Sequence, residues 1–266
     1  SGAKTVVHVH SPPSDFTRPT LWGLRNAKGI IAISDYIRNE LIEQGLDASK
    51  IHTVHNSVDT DFFNPDTRID VHPSIREQFN IPADAPLVGI AARMNPWKGQ
   101  LELIGAASLL RDKFPDLHVM IVGTDVPDVR AAYERKAKEG GVFERLHFAG
   151  FQRDVRPFLR DFDLFVHPSY GEPFSLVLLE AMAMRRPVVA CSTGGTPEMI
   201  THGNDGWLVR ERSDEDVADA ISTLLKDPDF AEQMAQRAGK RTRDHFTPRQ
   251  QCANMERQYA SLVAAA

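Results

Sequence analysis

The 266-residue sequence predicts an α/β protein with a doubly wound, Rossmann-like parallel sheet and a second, incomplete Rossmann half. Two observations predict this fold. Short, β-branched apolar runs alternate with helical segments, which is typical of parallel strands covered by helices on both faces. A proline-rich break at residues 60–86 interrupts the alternation after three candidate strands. The part before the break is therefore small for an independent core.

Nine apolar runs are candidate strands, and helical segments separate them. The runs are Thr5–His10, Gly29–Ser34, Ile51–His55, Leu87–Ala92, Leu117–Gly123, Arg145–Ala149, Leu164–His167, Pro187–Cys191 and Trp207–Val209. Among the helical segments, Leu101–Phe114 has apolar residues three and four positions apart, which predicts one apolar stripe along a helix.

Four segments follow from this pattern. Residues 1–59 form a partial first Rossmann segment, and residues 60–86 form a linker with one short helix. Residues 87–246 form a complete Rossmann domain. Residues 247–266 form a C-terminal helix, which Pro248 is suited to open.

Composition excludes several classes of protein. The chain is 42% hydrophobic and 25% charged, which excludes a disordered or collagen-like protein, and its net charge of −5 argues against a nucleic-acid partner. The two cysteines, Cys191 and Cys252, show no zinc-ligand spacing, and Cys191 ends an apolar run and is expected to be a buried, reduced thiol. No apolar stretch approaches the roughly 20 residues of a transmembrane helix, and the N-terminus lacks a signal-peptide core. A cytoplasmic location is expected.

The most informative segment is Gly171–Met184. Pro173 suits a first helical position, so the helix is predicted to start there and to leave the amides of the next three residues free for phosphate or hydroxyl groups. The helix is apolar on nearly all sides, and Glu180 is its one charged residue. A buried carboxylate needs a cation or hydroxyl partner or becomes neutral. An ion pair within the fold is at least as well supported here as a ligand contact.

Two other loops follow candidate strands. Arg93 and Lys98 come after the fourth strand, where open α/β sheets bind ligands, and together they suit a diphosphate. A single arginine and lysine in a loop usually face solvent. Gly194 and Gly195 follow the eighth strand, and this turn either admits a ligand close to the backbone or only joins strand and helix.

Together these segments resemble the C-terminal domain of the family 4 (GT4) retaining glycosyltransferases, whose GT-B fold has two Rossmann halves. The resemblance covers about residues 29–226, and three positions that are often glycine in the family differ. The motifs that carry it are Arg93…Lys98-Gly99, the Glu-x7-Glu pair Glu172 and Glu180, Gly-Gly-Thr-Pro-Glu at 194–198 and Asn56-Ser57-Val58-Asp59. The three differing positions are Ala92, Ser57 and Ser175, the last of which is expected to narrow the donor-sugar pocket slightly. Residues 121–125 also lack a second glycine that is usual in the family.

The resemblance implies a metal-independent, retaining transfer of a sugar from a UDP- or GDP-sugar to an acceptor, with no cofactor. In its catalytic set, Arg93 and Lys98 neutralise the diphosphate and Glu172 contacts the transferred sugar. The base lies near residues 151–155. The implied donor-binding residues are Phe174, Ser175, Leu176, Glu180 (to the ribose hydroxyls), Gly194 and Gly195, and the implied acceptor-side residues are His10, Ser11 and Asp15.

Other readings remain open. The acceptor is a sugar or a lipid-linked molecule, and the second of these would place the protein peripherally at the inner membrane face. The chief alternative is a nucleotide-sugar-binding module that is inactive without a complete N-terminal domain. An epimerase or phosphorylase of the same fold fits the motif combination less well. An incomplete first half is also expected to expose sheet edges and apolar faces. This surface is predicted to be covered by self-association, by a rearranged packing on the second domain or by a missing partner segment.

Three patterns suggest sites but have simpler explanations. Asp161 and Asp163 resemble a metal-binding Asp-x-Asp pair, yet they lie at a helix-to-strand junction and are expected to form a turn or cap. His8 and His10 share one face of a strand, but no further zinc ligands are evident. His167 follows a core strand and is expected to be structural.

Overall fold

The computed structural model describes residues 5–69 and 73–264, and the predictions on residues 1–4, 70–72 and 265–266 lie outside this described part. Within it, two parallel sheets are present, and all nine predicted strands are found. The first sheet has the order β1-β2-β3: β1 (Val6–Val9), β2 (Gly29–Ala32) and β3 (Ile51–Thr53). The second has the order β6-β5-β4-β7-β8-β9: β4 (Leu87–Ala91), β5 (His118–Val122), β6 (Leu146–Gly150), β7 (Leu164–His167), β8 (Val188–Cys191) and β9 (Trp207–Val209).

The strand order of the second sheet positions the functional site. Counted from β4, it is the 3-2-1-4-5-6 order of a Rossmann fold, so the direction in which successive strands are added reverses between the parallel neighbours β4 and β7. Loops leaving the carboxyl ends of these two strands diverge and form a crevice. Arg93 and Lys98 lie on the loop after β4, and Glu172 lies on the loop after β7.

Helices connect the strands and cover the sheets. In the described residues they are α1 (Arg18–Asn26), α2 (Asp35–Glu43), α3 (Ile75–Gln78), α4 (Gln100–Leu110), α5 (Pro127–Glu139), α6 (Arg156–Asp161), α7 (Leu176–Ala183), α8 (Thr196–Met199), α9 (Asp214–Lys226), α10 (Pro228–His245) and α11 (Pro248–Ala264). Side-chain caps start several of them: Ser213 accepts from the amide of Asp216, and Asp227 accepts from that of Phe230. Pro248 opens the last helix, as predicted.

Apolar side chains on alternate positions of the strands face two separate cores. Leu87 and Ala91 of β4 face the core that also contains the first sheet, whereas Val88 and Ile90 face the core on the opposite side of the second sheet. The near-continuous apolar runs of the sequence follow from this burial on both faces, and the predicted doubly wound α/β class is confirmed.

The prediction for Leu101–Phe114 was partly wrong. The helix is α4, which ends at Leu110, and Phe114 lies beyond it. Its predicted stripe is buried, but Gln100, Glu102 and Ile104 are buried as well. The reason is that α9 and α5 pack against the side of α4 that the sequence pattern left for solvent.

The C-terminal helix returns to the first sheet. The hydroxyl of Tyr259 on α11 lies 2.7 Å from Nε2 of His8 on β1, and the side chain of Leu262 packs against Gly29. On the way, the backbone amide of Val58 donates to the carbonyl of Phe246 at 2.9 Å. The predicted segment boundaries at residues 59, 86 and 246 remain predictions, but this helix physically joins the two sheets.

The structure also bears on the predictions for Cys191 and Asp163. Cys191 is free and buried, and burial raises the pKa of its thiol to about 12, as expected of an inert reduced cysteine. Asp163 acts as a structural acceptor, because its Oδ2 accepts from the amide of Leu87 at 2.7 Å and from Arg76 at 3.1 Å. Within the described residues, none of the helices combines the length and the apolar character needed to cross a membrane.

Candidate active site

A cavity of about 730 Å³ lies between the two sheets, at the carboxyl ends of β4 and β7. We call it the cleft, and we call residues 92–99 the cation loop and residues 168–175 the donor loop. The first-sheet side of the cleft is formed by His10, Ser11, Pro12, Asp15, Ile33 and Asn56. The second-sheet side is formed by Ala91, Ala92, Arg93, Trp97, Lys98, His167, Tyr170, Gly171, Glu172, Pro173, Phe174, Ser175, Leu176 and Val177.

Most of the predicted site residues therefore meet in one place. The three catalytic candidates, three of the donor-binding candidates and all three acceptor-side candidates line the cleft. Gly194, Gly195 and Glu180 do not form its wall. The functional roles of all these residues remain predictions.

An ion pair joins the cation loop to the donor loop at the base of the cleft. The Lys98 ammonium lies 2.5 Å from Oε2 of Glu172, and the same oxygen accepts from the Ser169 hydroxyl at 3.1 Å. Burial alone would raise the pKa of Glu172, but the neighbouring His167 and Lys98 lower it to about 2. Glu172 is thus an ionised, rigidly held carboxylate in the cleft.

The sequence predicts a structural role for His167, and the structure also places this residue at the wall of the cleft. Its Nε2 lies 3.1 Å from the Ser175 hydroxyl and 3.6 Å from Oε2 of Glu172, and the residue lines the cleft. Its buried Nδ1 has no hydrogen-bond partner within the described residues. Strand β7 ends at this residue, so its side chain lies beside the donor loop and orients two of that loop's side chains.

The cation loop holds a second positive charge that is free to bind an anion. Within the described residues, the exposed Arg93 guanidinium makes no ion pair or hydrogen bond, although the residue lines the cleft. The loop itself is fixed, because the Gln100 side chain donates to the Arg93 carbonyl at 3.1 Å. The Tyr170 amide also donates to the carbonyl of Trp97 at 3.1 Å. An unpaired cation on a fixed loop is suited to a diphosphate.

The prediction that Pro173 occupies the first helical position was wrong. Helix α7 begins at Leu176, and Ser175 is its N-cap: the Ser175 hydroxyl accepts from the Leu178 amide at 3.4 Å. Pro173 belongs to the donor loop. The amides of Leu176 and Val177 therefore stand at the start of the helix without an intrahelical partner, and both residues line the cleft. A helix N-terminus of this kind attracts anions.

Glu180 has no cation partner, contrary to the ion-pair reading of the sequence. Within the described residues its carboxyl makes no hydrogen bond or ion pair. Burial, with a smaller contribution from the negative charge of Asp154, raises its pKa to about 7. Asp154 lies in the loop after β6, which the resemblance associates with the nucleobase. Glu180 is thus a half-buried carboxyl without a protein partner in the described residues.

Replacement of Glu180 by glutamine is expected to stabilise the protein at pH 8 by up to about 3 kcal/mol, at about 1.4 kcal/mol per pKa unit. The folded pKa of about 7 lies above the ordinary value of 4.5, so the wild type loses stability as the pH rises between these values. Urea unfolding at pH 4.5 and pH 8 measures this, with exposed Glu139→Gln as the control. Equal shifts at both pH values would contradict it.

Gly194 and Gly195 pack directly against the backbone of the donor loop at Glu172 and Pro173. Gly194 has φ +60°, and a Cβ there would lie 2.2 Å from the Glu172 carbonyl oxygen. A Cβ on Gly195 would lie 2.1 Å from the Pro173 carbonyl oxygen, and its amide donates to the Glu172 carbonyl at 2.9 Å. The two glycines thus allow a close approach between two backbone segments.

Gly194→Ala is expected to cost roughly 2–5 kcal/mol in free energy of unfolding, because a left-handed backbone and a steric clash both oppose the methyl group. Gly203→Ala is the matched control: its φ is +73°, but nothing lies within 4 Å of its added Cβ. That control should lose only about 1–2 kcal/mol. Equal losses in the two variants would show that the contact with the donor loop does not matter.

The sequence did not single out two further residues. Phe151 lies in the 151–155 range where the resemblance places the base, but its 68% exposure is a signal that only the structure supplies. Glu198 of the Gly-Gly-Thr-Pro-Glu motif makes contacts across to the first sheet, which local sequence does not indicate.

Two parallel, Rossmann-like sheets around one cleft match the architecture of GT-B structures. The family models agree: that for Glycosyl transferases group 1 matches residues 71–241, and that for Glycosyltransferase Family 4 matches residues 1–62. The chain belongs to the glycosyl transferases group 1 family.

Individual relatives support the same assignment. The chain is 32% identical over 207 residues to the D-inositol 3-phosphate glycosyltransferase of Corynebacterium glutamicum, covering 74% of this chain and 48% of that protein. It is 35% identical over 184 residues to the protein of the same name from Mycolicibacterium smegmatis, covering 67% of this chain and 41% of that one. The chain thus spans about half the length of these curated relatives or less.

Solved structures match nearly the whole chain. HepE from Anabaena, crystallised with UDP and glucose, aligns with a TM-score of 0.84 at 26% identity and covers 99% of this chain and 72% of that one. Sucrose-phosphate synthase from Thermosynechococcus elongatus aligns with a TM-score of 0.83 at 26% identity, over 98% of this chain and 68% of that one.

Proposed function

We propose that this protein transfers a sugar from a nucleotide-diphosphate sugar to an acceptor hydroxyl, with retention of configuration and without a metal ion. The donor binds on the second-sheet side of the cleft, and the acceptor enters from the side of His10, Ser11 and Asp15. Uridine nucleotides are the proposed donors, because the HepE neighbour binds UDP and UDP-glucose.

The unpaired cation at the cleft is the observation that carries this proposal. Arg93 lines the cleft together with Lys98 and the free amides at the start of α7. These groups converge where a Rossmann sheet binds nucleotides. They supply fixed positive charge where the diphosphate leaves, which is the charge that a metal ion supplies in other transferases. Activity that persists in excess chelator tests this part of the proposal.

The proposed chemical step needs no protein nucleophile. The bond between the sugar anomeric carbon and the diphosphate oxygen breaks, and its electron pair stays on that oxygen. The acceptor hydroxyl attacks the same face of the sugar, and its proton passes to the departing phosphate oxygen. Glu172 is poorly suited to attack, because Lys98 and Ser169 hold its carboxylate and its pKa is about 2. It instead accepts a hydroxyl of the transferred sugar.

The nucleoside end of the donor fits the other end of the site. Among the residues that the structure describes, Glu180 has no hydrogen-bond or ion-pair partner, and it is close enough to Asp154 for that charge to affect its pKa. Its carboxyl accepts the ribose hydroxyls in the proposed complex, which gives a half-buried polar group the partner it lacks. The exposed ring of Phe151, on the loop that contains Asp154, offers a face for the base.

Calorimetric titration with UDP, GDP and ADP, followed by mass spectrometry of sugar-nucleotide consumption, tests the proposed function. One UDP per chain and consumption of a UDP-sugar with an added acceptor are expected. UDP binding without turnover of any donor would favour the alternative, a nucleotide-sugar-binding module that needs a complete N-terminal domain. No binding of any nucleotide would contradict both.

A further inference from the structure

The carboxylate of Glu198 connects the second-sheet unit to the first-sheet unit. Glu198 lies on α8, which follows β8 of the second sheet. Its Oε2 nevertheless accepts a hydrogen bond from the backbone amide of Asp35, and its Oε1 accepts one from that of Tyr36, both at 2.8 Å. Asp35 and Tyr36 are the first two residues of α2 in the first-sheet unit. Helix amides at this position have no partner within the helix and attract negative charge.

The remaining amides at this end of α2 are satisfied locally. The Ser34 hydroxyl accepts from the amide of Ile37 at 3.2 Å, and the Ser34 carbonyl accepts from that of Arg38 at 3.0 Å. Ser34 therefore caps half of the helix N-terminus, and Glu198 caps the other half from the opposite sheet. The helix start is complete only while the two units are held together.

A histidine extends this connection to the donor loop. Nε2 of His55, just after β3, lies 2.8 Å from Oε2 of Glu198. The His55 ring also stacks on Phe174 of the donor loop, with 5.1 Å between ring centroids and 15° between ring planes. Glu198 thus fixes a first-sheet residue that packs directly against the donor loop.

The backbone around Glu198 is anchored in its own unit. The Arg241 side chain donates to the carbonyls of Glu198 at 3.0 Å and Met199 at 2.7 Å. At the other end of the same segment, the Gly195 amide donates to the carbonyl of Glu172. One short segment, residues 194–198, therefore touches the donor loop at one end and α2 at the other.

A metal ion is a poor explanation for this cluster. Ligand atoms of Asp35, His55 and Glu198 lie within 4.8 Å of one another, and these residue types suit a divalent cation. However, both Glu198 oxygens face backbone N–H groups at the positive end of a helix, which repels a cation. The geometry favours a carboxylate cap.

We propose that Glu198 is a positioning residue that holds the first-sheet wall at a fixed separation from the donor loop. It does not line the cleft, so it acts through α2, His55 and Phe174 and not on the substrate. Its consequence for sugar transfer rests on the proposed function, whereas its structural role does not.

Glu198→Gln tests this inference. The glutamine side chain has the same shape as glutamate, but its NH₂ group replaces one of the two oxygens that accept from the Asp35 and Tyr36 amides. By NMR or fragment mass spectrometry, hydrogen exchange at the Asp35 and Tyr36 amides should rise at least tenfold, while exchange in β4 and β7 stays as in the wild type. The affinity for UDP should change less than twofold, and turnover at saturating UDP-sugar should fall. Glu43→Gln, at the exposed opposite end of α2, is the matched control.

Unchanged exchange at Asp35 and Tyr36 in Glu198→Gln would overturn the inference, and so would faster exchange throughout both sheets, which indicates a general loss of stability. If the glutamine variant does not fold, Glu198→Asp keeps the charge with a shorter reach and must show the same local rise. A higher free energy of unfolding of the wild type in the presence of Zn²⁺, with no such increase in His55→Ala, would support a metal site instead. Failure of the wild type to bind any nucleotide would contradict the proposed function but leave the exchange result intact.

Discussion

Replacement of Lys98 by alanine is expected to weaken UDP binding by about tenfold to a hundredfold. Hydrogen bonds to a charged group contribute roughly 1.5–3 kcal/mol, and each 1.4 kcal/mol is about tenfold in affinity. The variant removes one of the two cations on the cation loop and leaves Arg93 in place. Calorimetric titration with UDP at pH 7.5 measures the effect, with Lys240→Ala as the control. In the described part of the chain, the exposed Lys240 pairs with Asp244 on the same helix, α10.

The same variant should change the protonation of Glu172. Without the Lys98 ammonium this buried carboxyl loses one of the two partners that keep its pKa at about 2, so its pKa rises. Acid unfolding of the variant is then expected to start at higher pH than in the wild type. Unchanged UDP affinity would mean that Lys98 serves only as the partner of Glu172.

Replacement of Glu172 by glutamine should separate binding from transfer. We expect UDP affinity to stay the same or increase, because Lys98 is released from its ion pair and a negative charge leaves the cleft. Turnover of a UDP-sugar should fall by about 10²–10³, the usual cost of losing one group that stabilises a transition state.

The control for Glu172→Gln is Glu139→Gln on the exposed face of α5, which should leave both measurements unchanged. Parallel steady-state kinetics and UDP titration give the comparison. Equal losses in affinity and turnover would indicate that the variant only disrupts the donor loop. Unchanged turnover would show that Glu172 has no role in the reaction.

The strands were predictable from sequence because their signal is local. Strands β4, β5, β7 and β8 are buried on both faces over nearly their whole length, so almost every position in these runs is apolar and the runs are visible without knowledge of their partners. The placement of Arg93 and Lys98 followed from the same logic, since loops after such strands lie at the ligand-binding edge.

The start of α7 was not predictable in this way. Pro173 has a sound local preference for the first helical turn, but the donor loop instead continues to Ser175. Contacts from distant parts of the chain hold that loop: Lys98 pairs with Glu172, and the Gly195 amide binds the Glu172 carbonyl. Tertiary contacts therefore overrode the local preference. Glu198 was missed for the same reason, because its partner amides at 35 and 36 are more than 160 positions away.

Two departures from the family pattern have structural explanations. Ser57 replaces a glycine, and its hydroxyl donates to Oε1 of Gln251 on α11 at 2.7 Å, which adds a contact between the two units. Ser175 caps α7 and bonds to His167, so its hydroxyl is engaged within the protein. Ser175 is 4% exposed and lines the cleft, and its narrowing of the donor-sugar pocket remains a prediction.

A crystal structure of the protein with UDP tests the central claim most directly. The account predicts the diphosphate between the Arg93 guanidinium and the Lys98 ammonium, next to the amides of Leu176 and Val177. It also predicts both ribose hydroxyls within hydrogen-bond distance of the Glu180 carboxyl. A diphosphate bound away from the cation loop, or a ribose that leaves Glu180 without a partner, would contradict it.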